Sequence, residues 1–271
     1  MVTFATPARP ATPRFATGHV VLPNGVRLNY VHGGPPGGAA VIMLHGFTDS
    51  SFSFSRVLPL LPTDLRVIAL DQRGHGDSDR PADGYTMDDF AGDVLKLMDV
   101  LSIAQATLVG HSMGSFVARR VAERAPERVP RLVLLGTALV PTNAVVSDLR
   151  ATVDHLVDPV DEAFIREFQM STIHRAVPPE FFEHVIAESR KVPARVWRAA
   201  LAGLNSYQPR WPIRCPTTIL GGQLDAVFSP QEQMALFVAT EHSTLHLEPR
   251  VGHTLHWEAP ERFVALAFSG R

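Results

Sequence analysis

Four short apolar runs constrain the fold more than any other feature of the sequence. They lie at residues 40–44 (AVIML), 67–70 (VIAL), 107–109 (TLV) and 132–135 (LVLL). Strands buried on both faces carry continuous runs of this kind, whereas strands with one solvated face alternate apolar and polar residues. We therefore expect these runs to be the central strands of a mainly parallel sheet.

Helical patterns separate the strand-like runs. Within residues 86–101, apolar residues recur at steps of three and four, and Asp88 and Asp89 lie near the start, where the helix dipole favours negative charge. Two further strands are expected at 217–220 and 244–247. This alternation predicts an α/β fold with helices on both faces of the sheet. In such a fold, functional residues lie beyond the carboxyl ends of the strands.

The N-terminal region follows a different pattern. Residues 1–17 are rich in Pro, Thr and Ala, and we expect them to form a flexible arm. Strand-like runs at 18–22 and 27–32 flank Asn24-Gly25, a step that suits a tight hairpin turn. The sheet is therefore expected to open with an antiparallel pair.

An insertion interrupts the core. The strand signal disappears between residues 137 and 212, where amphipathic patterns predict helices at 161–170, 179–191 and 194–204. We assign residues 137–212 to a helical cap, and residues 18–136 and 213–271 to the core.

Composition narrows the classes of partner. Hydrophobic residues make up 45% of the 271 residues, which is typical of a globular protein. The net charge is −2 and no run of basic residues occurs, so neither nucleic acid nor an anionic membrane is an expected partner. A single cysteine, Cys215, excludes an intrachain disulfide and a multi-thiolate metal site. No run is apolar enough for a transmembrane helix or a secretory signal, so we expect a cytoplasmic protein. Homodimer formation is left open.

The strongest chemical signal is Gly110-His111-Ser112-Met113-Gly114. It directly follows the run at 107–109 and directly precedes the helix-like segment 115–125. A nucleophile on a sharp turn between strand and helix needs small residues two positions to either side, and the helix N-terminus supplies positive potential for an oxyanion. This context predicts Ser112 as a nucleophile.

A serine nucleophile needs a base to take its proton and a third group to orient that base. Asp225 follows the strand expected at 217–220, and His253 follows the strand expected at 244–247. Both lie at carboxyl ends of strands, so we predict His253 as the base and Asp225 as the orienting acid. Asp79 and Asp83 are alternative loop acids.

Further residues are expected to complete the site. The backbone N–H groups of Met113 and of Phe47, which follows His45-Gly46, are the predicted oxyanion donors. Four side chains are predicted to bind substrate: His45, His111, Trp197 and His256. The alternatives are that His45 only braces its loop, and that His256 and the aromatic residues of the cap only pack.

Several segments together resemble the α/β-hydrolase superfamily in matching order, namely 45–47, 71–78, 110–114, 222–225 and 252–253. Segment 257–263 is similar to the lidded esterase, haloperoxidase-like and ring-cleavage hydrolase branches. The resemblance implies an eight-stranded sheet with a cap inserted after the sixth strand. It also implies a Ser112–His253–Asp225 triad with Phe47 and Met113 as oxyanion donors. Epoxide hydrolases and haloalkane dehalogenases carry Asp at the position of Ser112 and are disfavoured.

The main functional hypothesis is a serine hydrolase that cleaves a carboxylic ester or lactone through an acyl-enzyme, without cofactor or metal. A carbon–carbon bond hydrolase or a cofactor-free haloperoxidase or perhydrolase on the same triad is the alternative. The carbon–carbon branch usually carries a Gly-rich stretch where this chain has Phe47-Thr48-Asp49-Ser50-Ser51. A ligand receptor that keeps a hydrolase pocket is a third hypothesis. A metallohydrolase is disfavoured, because the sequence lacks a His-rich cluster with carboxylates.

Overall fold

The computed structural model describes residues 14–210 and 212–268, and one eight-stranded sheet organises them. The strands are β1 (Phe15–Val21), β2 (Arg27–Gly33), β3 (Ala40–Leu44), β4 (Arg66–Leu70), β5 (Thr107–His111), β6 (Leu132–Leu135), β7 (Thr217–Gly222) and β8 (Ser243–Glu248). Their order across the sheet is β1-β2-β4-β3-β5-β6-β7-β8. Strand β2 pairs antiparallel with both β1 and β4, and every other pairing is parallel. The expected architecture is confirmed.

Nine α-helices accompany the sheet within the described residues. They are α1 (Met87–Val100), α2 (Met113–Arg124), α3 (Ala144–Val153), α4 (Glu162–Ser171), α5 (Pro179–Arg190), α6 (Ala194–Asn205), α7 (Pro230–Ala239), α8 (Leu255–Glu258) and α9 (Pro260–Ala267). Helix α1 begins with a capping box, in which Thr86 and Asp89 exchange side-chain and backbone hydrogen bonds. Helices α3 to α6 lie between β6 and β7, and we call them the cap helices.

Alternate residues of the central strands face two apolar cores. On β3, Ile42 and Leu44 join the core that contains α1, α2 and the cap helices. Val41 and Met43 join the opposite core, which contains α9. Both faces of the strand are therefore buried, as its continuous apolar run predicts.

The boundary predicted for the N-terminal arm is wrong by three residues. Strand β1 begins at Phe15, which pairs with Gly33, and Thr17 pairs with Val31. Arg14 anchors the strand's start, since its guanidinium donates to the carbonyl of Leu61 at 2.6 Å. Residues 1–13 of the predicted arm lie outside the described residues.

The cap contains one helix, α3, that the sequence pattern does not predict. Helices α4, α5 and α6 match their predicted ranges, whereas α3 was not predicted because its first turn contains two β-branched valines, which favour strands. Asn143 starts α3, since its side chain accepts from the N–H of Val146 at 2.9 Å. The cap therefore follows β6, the sixth strand, as expected.

A buried ion pair fixes the loop that follows β4. The guanidinium of Arg73 donates to both carboxylate oxygens of Asp93 on α1, each at 2.6 Å, and also to the carbonyl of Gly84. Both side chains are more than nine-tenths buried. The loop at 71–78 is thereby clamped to the helix layer.

Replacing Asp93 with Ala should lower the free energy of unfolding by about 3–5 kcal/mol, because it leaves the Arg73 charge buried without a partner. Asp154→Ala is the matched control, since the half-exposed Arg150–Asp154 pair should contribute less than about 1 kcal/mol. Chemical denaturation of the two variants measures the difference. Equal losses would contradict this account.

Candidate active site

Ser112 occupies a strained turn between β5 and α2. Its backbone has φ 48° and ψ −119°, a region that non-glycine residues rarely adopt. The turn is held from both sides: the N–H of Ser112 donates to the carbonyl of Leu135 at 2.9 Å, and the Ser112 carbonyl accepts from the Ser115 hydroxyl at 2.6 Å. These two hydrogen bonds hold the backbone of Ser112 in one conformation and thereby fix the position from which its side chain extends.

Gly110 and Gly114 are required by close backbone contacts. A Cβ atom on Gly110 would lie 2.3 Å from the carbonyl oxygen of Gly114. A Cβ atom on Gly114 would lie 2.1 Å from the carbonyl oxygen of Leu44, at the end of β3. Helix α2 can therefore approach the sheet only with glycine at these positions.

Asp225 and His253 lie at the ends of neighbouring strands and contact each other. The Nδ1 atom of His253 is 2.9 Å from Oδ2 and 3.1 Å from Oδ1 of Asp225, and both side chains are buried. This contact engages Nδ1 and leaves Nε2 as the nitrogen that can serve a reacting group.

Three further donors hold the carboxylate of Asp225. The N–H groups of Val227 and Phe228 each donate to Oδ1 at 2.9 Å, and the side-chain amide of Gln233 donates to Oδ2 at 3.2 Å. Hydrogen bonds to the ionised form of an acid stabilise its charge. Gln233 is absent from the sequence prediction, because nothing in a helical glutamine reveals that it faces this loop.

The two predicted oxyanion donors are available. Met113 is the first residue of α2, and neither its N–H nor that of Phe47 has a hydrogen-bond acceptor among residues 14–210 and 212–268. The loop that carries Phe47 is also strained, since the next residue, Thr48, has φ 63°.

A cavity of about 510 Å³, including its opening to solvent, lies between the core and the cap helices. Ser112 and His253 both line it, together with Phe47. Apolar cap residues form much of the remaining wall, namely Val146, Leu149, Phe168, Leu201 and Leu204. Ser112 and His253 therefore open onto a mainly apolar space, which is typical of small-molecule sites.

His111 lines this cavity, whereas His45 does not. His45 is fully buried. Its Nε2 accepts from the N–H of Gln72 at 3.0 Å, and its Nδ1 lies 2.8 Å from the carbonyl oxygen of Gly46. His45 thus braces its loop in this structure, and its predicted contact with substrate gains no support from its position.

Trp197 and His256 also lie behind the cavity wall rather than on it. Trp197 packs edge-on against Phe47 at 5.2 Å between ring centroids and donates its indole N–H to the carbonyl of Val192. His256 is fully buried, with Nε2 at 3.0 Å from the hydroxyl oxygen of Ser53. Their positions therefore give the two predicted substrate contacts no support, because residue type does not distinguish the lining of a cavity from the layer beneath it.

Helix α4 of the cap is hydrogen-bonded to two core loops of the site. The amide of Gln169 donates to Oδ1 of Asp49 at 3.2 Å and to the hydroxyl of Ser189 on α5 at 2.9 Å. The backbone N–H of His253 donates to the carbonyl of Thr172, directly after α4, at 2.9 Å. The cap thus contacts the histidine loop and the loop that follows Phe47.

Glu258 strengthens this attachment. Its buried carboxylate accepts from the N–H of Gly252 at 3.0 Å, and from the N–H groups of His174 and Arg175 at 3.1 and 2.6 Å. One side chain of α8 therefore joins the histidine loop to the cap segment that follows α4.

Glu258→Gln should loosen this junction, because an amide presents one acceptor oxygen in place of two. We expect faster hydrogen exchange at residues 174, 175 and 252, with no change in the central strands. Glu261→Gln, an exposed change on α9, is the control. Unchanged protection at the three amides would contradict the proposed junction.

Buried histidines around the site are held neutral. Burial lowers the pKa of His45, His111 and His256. Burial and the neighbouring His45 lower the pKa of His75 from 6.5 to about 3. These histidines bind protons more readily in the unfolded chain than in the folded chain. Their contribution to the free energy of unfolding is therefore fully present above about pH 6.5 and decreases as the pH is lowered.

His75→Gln should reduce this loss between about pH 6.5 and 4.5, since one histidine contributes at most about 1.4 kcal/mol per pH unit. Denaturant titrations at several pH values give the slope. His155→Gln, at an exposed position of the cap, should leave the slope unchanged. The same slope in the His75 variant and the wild type would contradict the prediction.

Comparison with known proteins places this geometry in a family. A sequence model of the alpha/beta hydrolase fold matches residues 39–260. The chain belongs to the α/β-hydrolase family.

Relatives and solved structures span nearly the whole chain. The chain is 28% identical over 265 residues to the 2-hydroxymuconate semialdehyde hydrolase of Pseudomonas sp. (strain CF600), covering 92% of each protein. An esterase from Exiguobacterium antarcticum has a TM-score of 0.84 at 22% identity, with 93% of this chain and 97% of that chain covered. A thermophilic esterase from Thermogutta terrifontis has a TM-score of 0.79 at 26% identity, with 92% and 95% covered.

No helix within 14–210 and 212–268 is long and apolar enough to cross a membrane. Over the same ranges, no group of three or more His, Cys, Asp or Glu side chains is arranged to hold a metal ion.

Proposed function

We propose that the protein is a serine hydrolase that cleaves a carboxylic ester or lactone through an acyl-enzyme. One observation carries the proposal: Ser112, on its strained turn, and the Asp225-bound His253 line the same cavity. The unpaired N–H groups of Phe47 and Met113 support it, since they provide donors for an oxyanion.

The reaction proceeds in two halves. Nε2 of His253 takes the proton of Ser112 as its oxygen attacks the carbonyl carbon, and the oxyanion forms at the N–H groups of Phe47 and Met113. The imidazolium then protonates the leaving alkoxide, and Asp225 stabilises its charge. Water, with His253 again as base, hydrolyses the acyl-enzyme and releases the acid.

The charges around the cavity favour a neutral substrate. Among the described residues that line it, none is Lys or Arg, and one, Asp49, is acidic. Ring-cleavage products bear a carboxylate, which would enter this cavity without a cationic partner and beside a buried acid. We therefore favour an ester or lactone without an acidic group over a carboxylate-bearing ring-cleavage product, whose hydrolysis would break a carbon–carbon bond.

Ser112→Ala should abolish both fluorophosphonate labelling and the hydrolysis of short p-nitrophenyl esters and lactones, with a loss in kcat of at least about 10⁴-fold, because the alanine supplies no nucleophile. Labelling on a gel and initial rates measure the two effects. Ser147→Ala, at an exposed position on cap helix α3, is the matched control and should retain both activities.

Each alternative predicts a different outcome. Turnover that survives in Ser112→Ala would overturn the triad. Labelling of the wild type without ester or lactone turnover would favour carbon–carbon cleavage, to be assayed on a ring-fission diketone, or a receptor that binds without turnover.

A further inference from the structure

His111 is a buried polar side chain for which the proposed triad has no use. It lines the cavity directly beside Ser112 and is only 3% exposed. Neither of its ring nitrogens has a hydrogen-bond partner among residues 14–210 and 212–268. Buried polar groups are nearly always hydrogen-bonded, because an unpaired one has lost its contact with water without compensation.

Asp49 faces His111 across the same part of the cavity. Its side chain is 5% exposed, and Oδ2 lies 3.8 Å from Nδ1 of His111, which is too long for a hydrogen bond. Two neutral groups donate to it at long distances: the amide of Gln169 at 3.2 Å and the hydroxyl of Ser53 at 3.3 Å. A carboxylate can accept about four hydrogen bonds, so it has capacity for another donor.

We propose that Asp49 and His111 form a subsite for a hydroxyl group of the substrate, which donates to the Asp49 carboxylate and accepts from a ring N–H of His111. This inference rests on the proposed function and narrows its substrate to hydroxylated esters or lactones.

The chemistry of the pair selects a hydroxyl. Burial lowers the pKa of His111, so the ring is neutral and offers one donor and one acceptor. A hydroxyl can donate to the Asp49 carboxylate and accept from the His111 N–H at the same time, whereas the Asp49 carboxylate would repel a carboxylate of the substrate. An ammonium group would carry a strongly hydrated charge into a mainly apolar cavity.

Position relates the subsite to the scissile bond. His111 directly precedes Ser112, its ring lies 5.0 Å from that of His253 between centroids, and Asp49 is two residues after Phe47. The hydroxyl is therefore placed within a few bonds of the carbonyl carbon, as in esters of 2- or 3-hydroxy acids.

Matched substrates test the subsite. Methyl 2-hydroxybutanoate and methyl 3-hydroxybutanoate are compared with methyl butanoate, and kcat/KM is measured for each. We expect the better hydroxy ester to exceed the parent by about tenfold or more, since a hydrogen bond to a charged group discriminates by roughly this factor. Asp49→Asn and His111→Phe should each reduce the ratio severalfold, and the exposed Asp83→Asn should not.

The outcomes separate the two levels of the proposal. The deciding quantity is the ratio of kcat/KM for the better hydroxy ester to kcat/KM for methyl butanoate. If the wild type is labelled by the fluorophosphonate and hydrolyses methyl butanoate, a wild-type ratio near one overturns the subsite alone, and so does an unchanged ratio in both subsite variants. If the wild type shows neither fluorophosphonate labelling nor ester turnover, the proposed function and the subsite are overturned together. Methyl 3-aminobutanoate is assayed alongside, and a stronger preference for it than for the hydroxy esters would overturn the hydroxyl subsite in favour of one that binds a cation. If one variant does not fold, the other decides.

Discussion

The turn at Ser112 depends on how closely helix α2 approaches the sheet. The Cα of Gly114 lies against the carbonyl of Leu44, and this contact allows β5 to end and α2 to begin within one residue. The positive φ of Ser112 is a local strain that the surrounding hydrogen bonds compensate. Because β3, β5 and α2 all meet at this point, the loop that follows β3 and the N-terminus of α2 are brought to either side of the serine.

The cap is attached to the core by buried polar contacts as well as by apolar packing. Gln169 reaches the loop after β3, while Thr172 and Glu258 hold the backbone around His253. Apolar contacts alone would tolerate small shifts of α4, whereas buried hydrogen bonds are sensitive to distance and direction. The orientation of His253 is therefore determined by residues on both sides of the cavity.

The sequence predicts those features that local chemistry determines. Continuous apolar runs identify the strands, and the Gly-x-Ser-x-Gly segment, with an acid and a histidine after later strands, identifies the members of the candidate site. What the sequence does not carry is the distance between side chains that are remote along the chain. His45, Trp197 and His256 have types that suit a pocket, yet each lies one layer behind it. Gln233 and Glu258 look like ordinary helical polar residues, and only the tertiary structure shows what they hold.

The bonds between α4 and the core also bear on how such proteins diversify. A cap is often regarded as an interchangeable module that can be replaced to change which molecules are admitted. Here the segment from Gln169 to Arg175 contributes to the alignment of the core itself, through the backbone of His253 and the carboxylates of Asp49 and Glu258. A chimera that exchanged the cap without this segment would change the alignment of His253 together with selectivity. Helices α3 and α6, which contribute apolar wall residues, are the portion that recombination can vary with less effect on the chemistry.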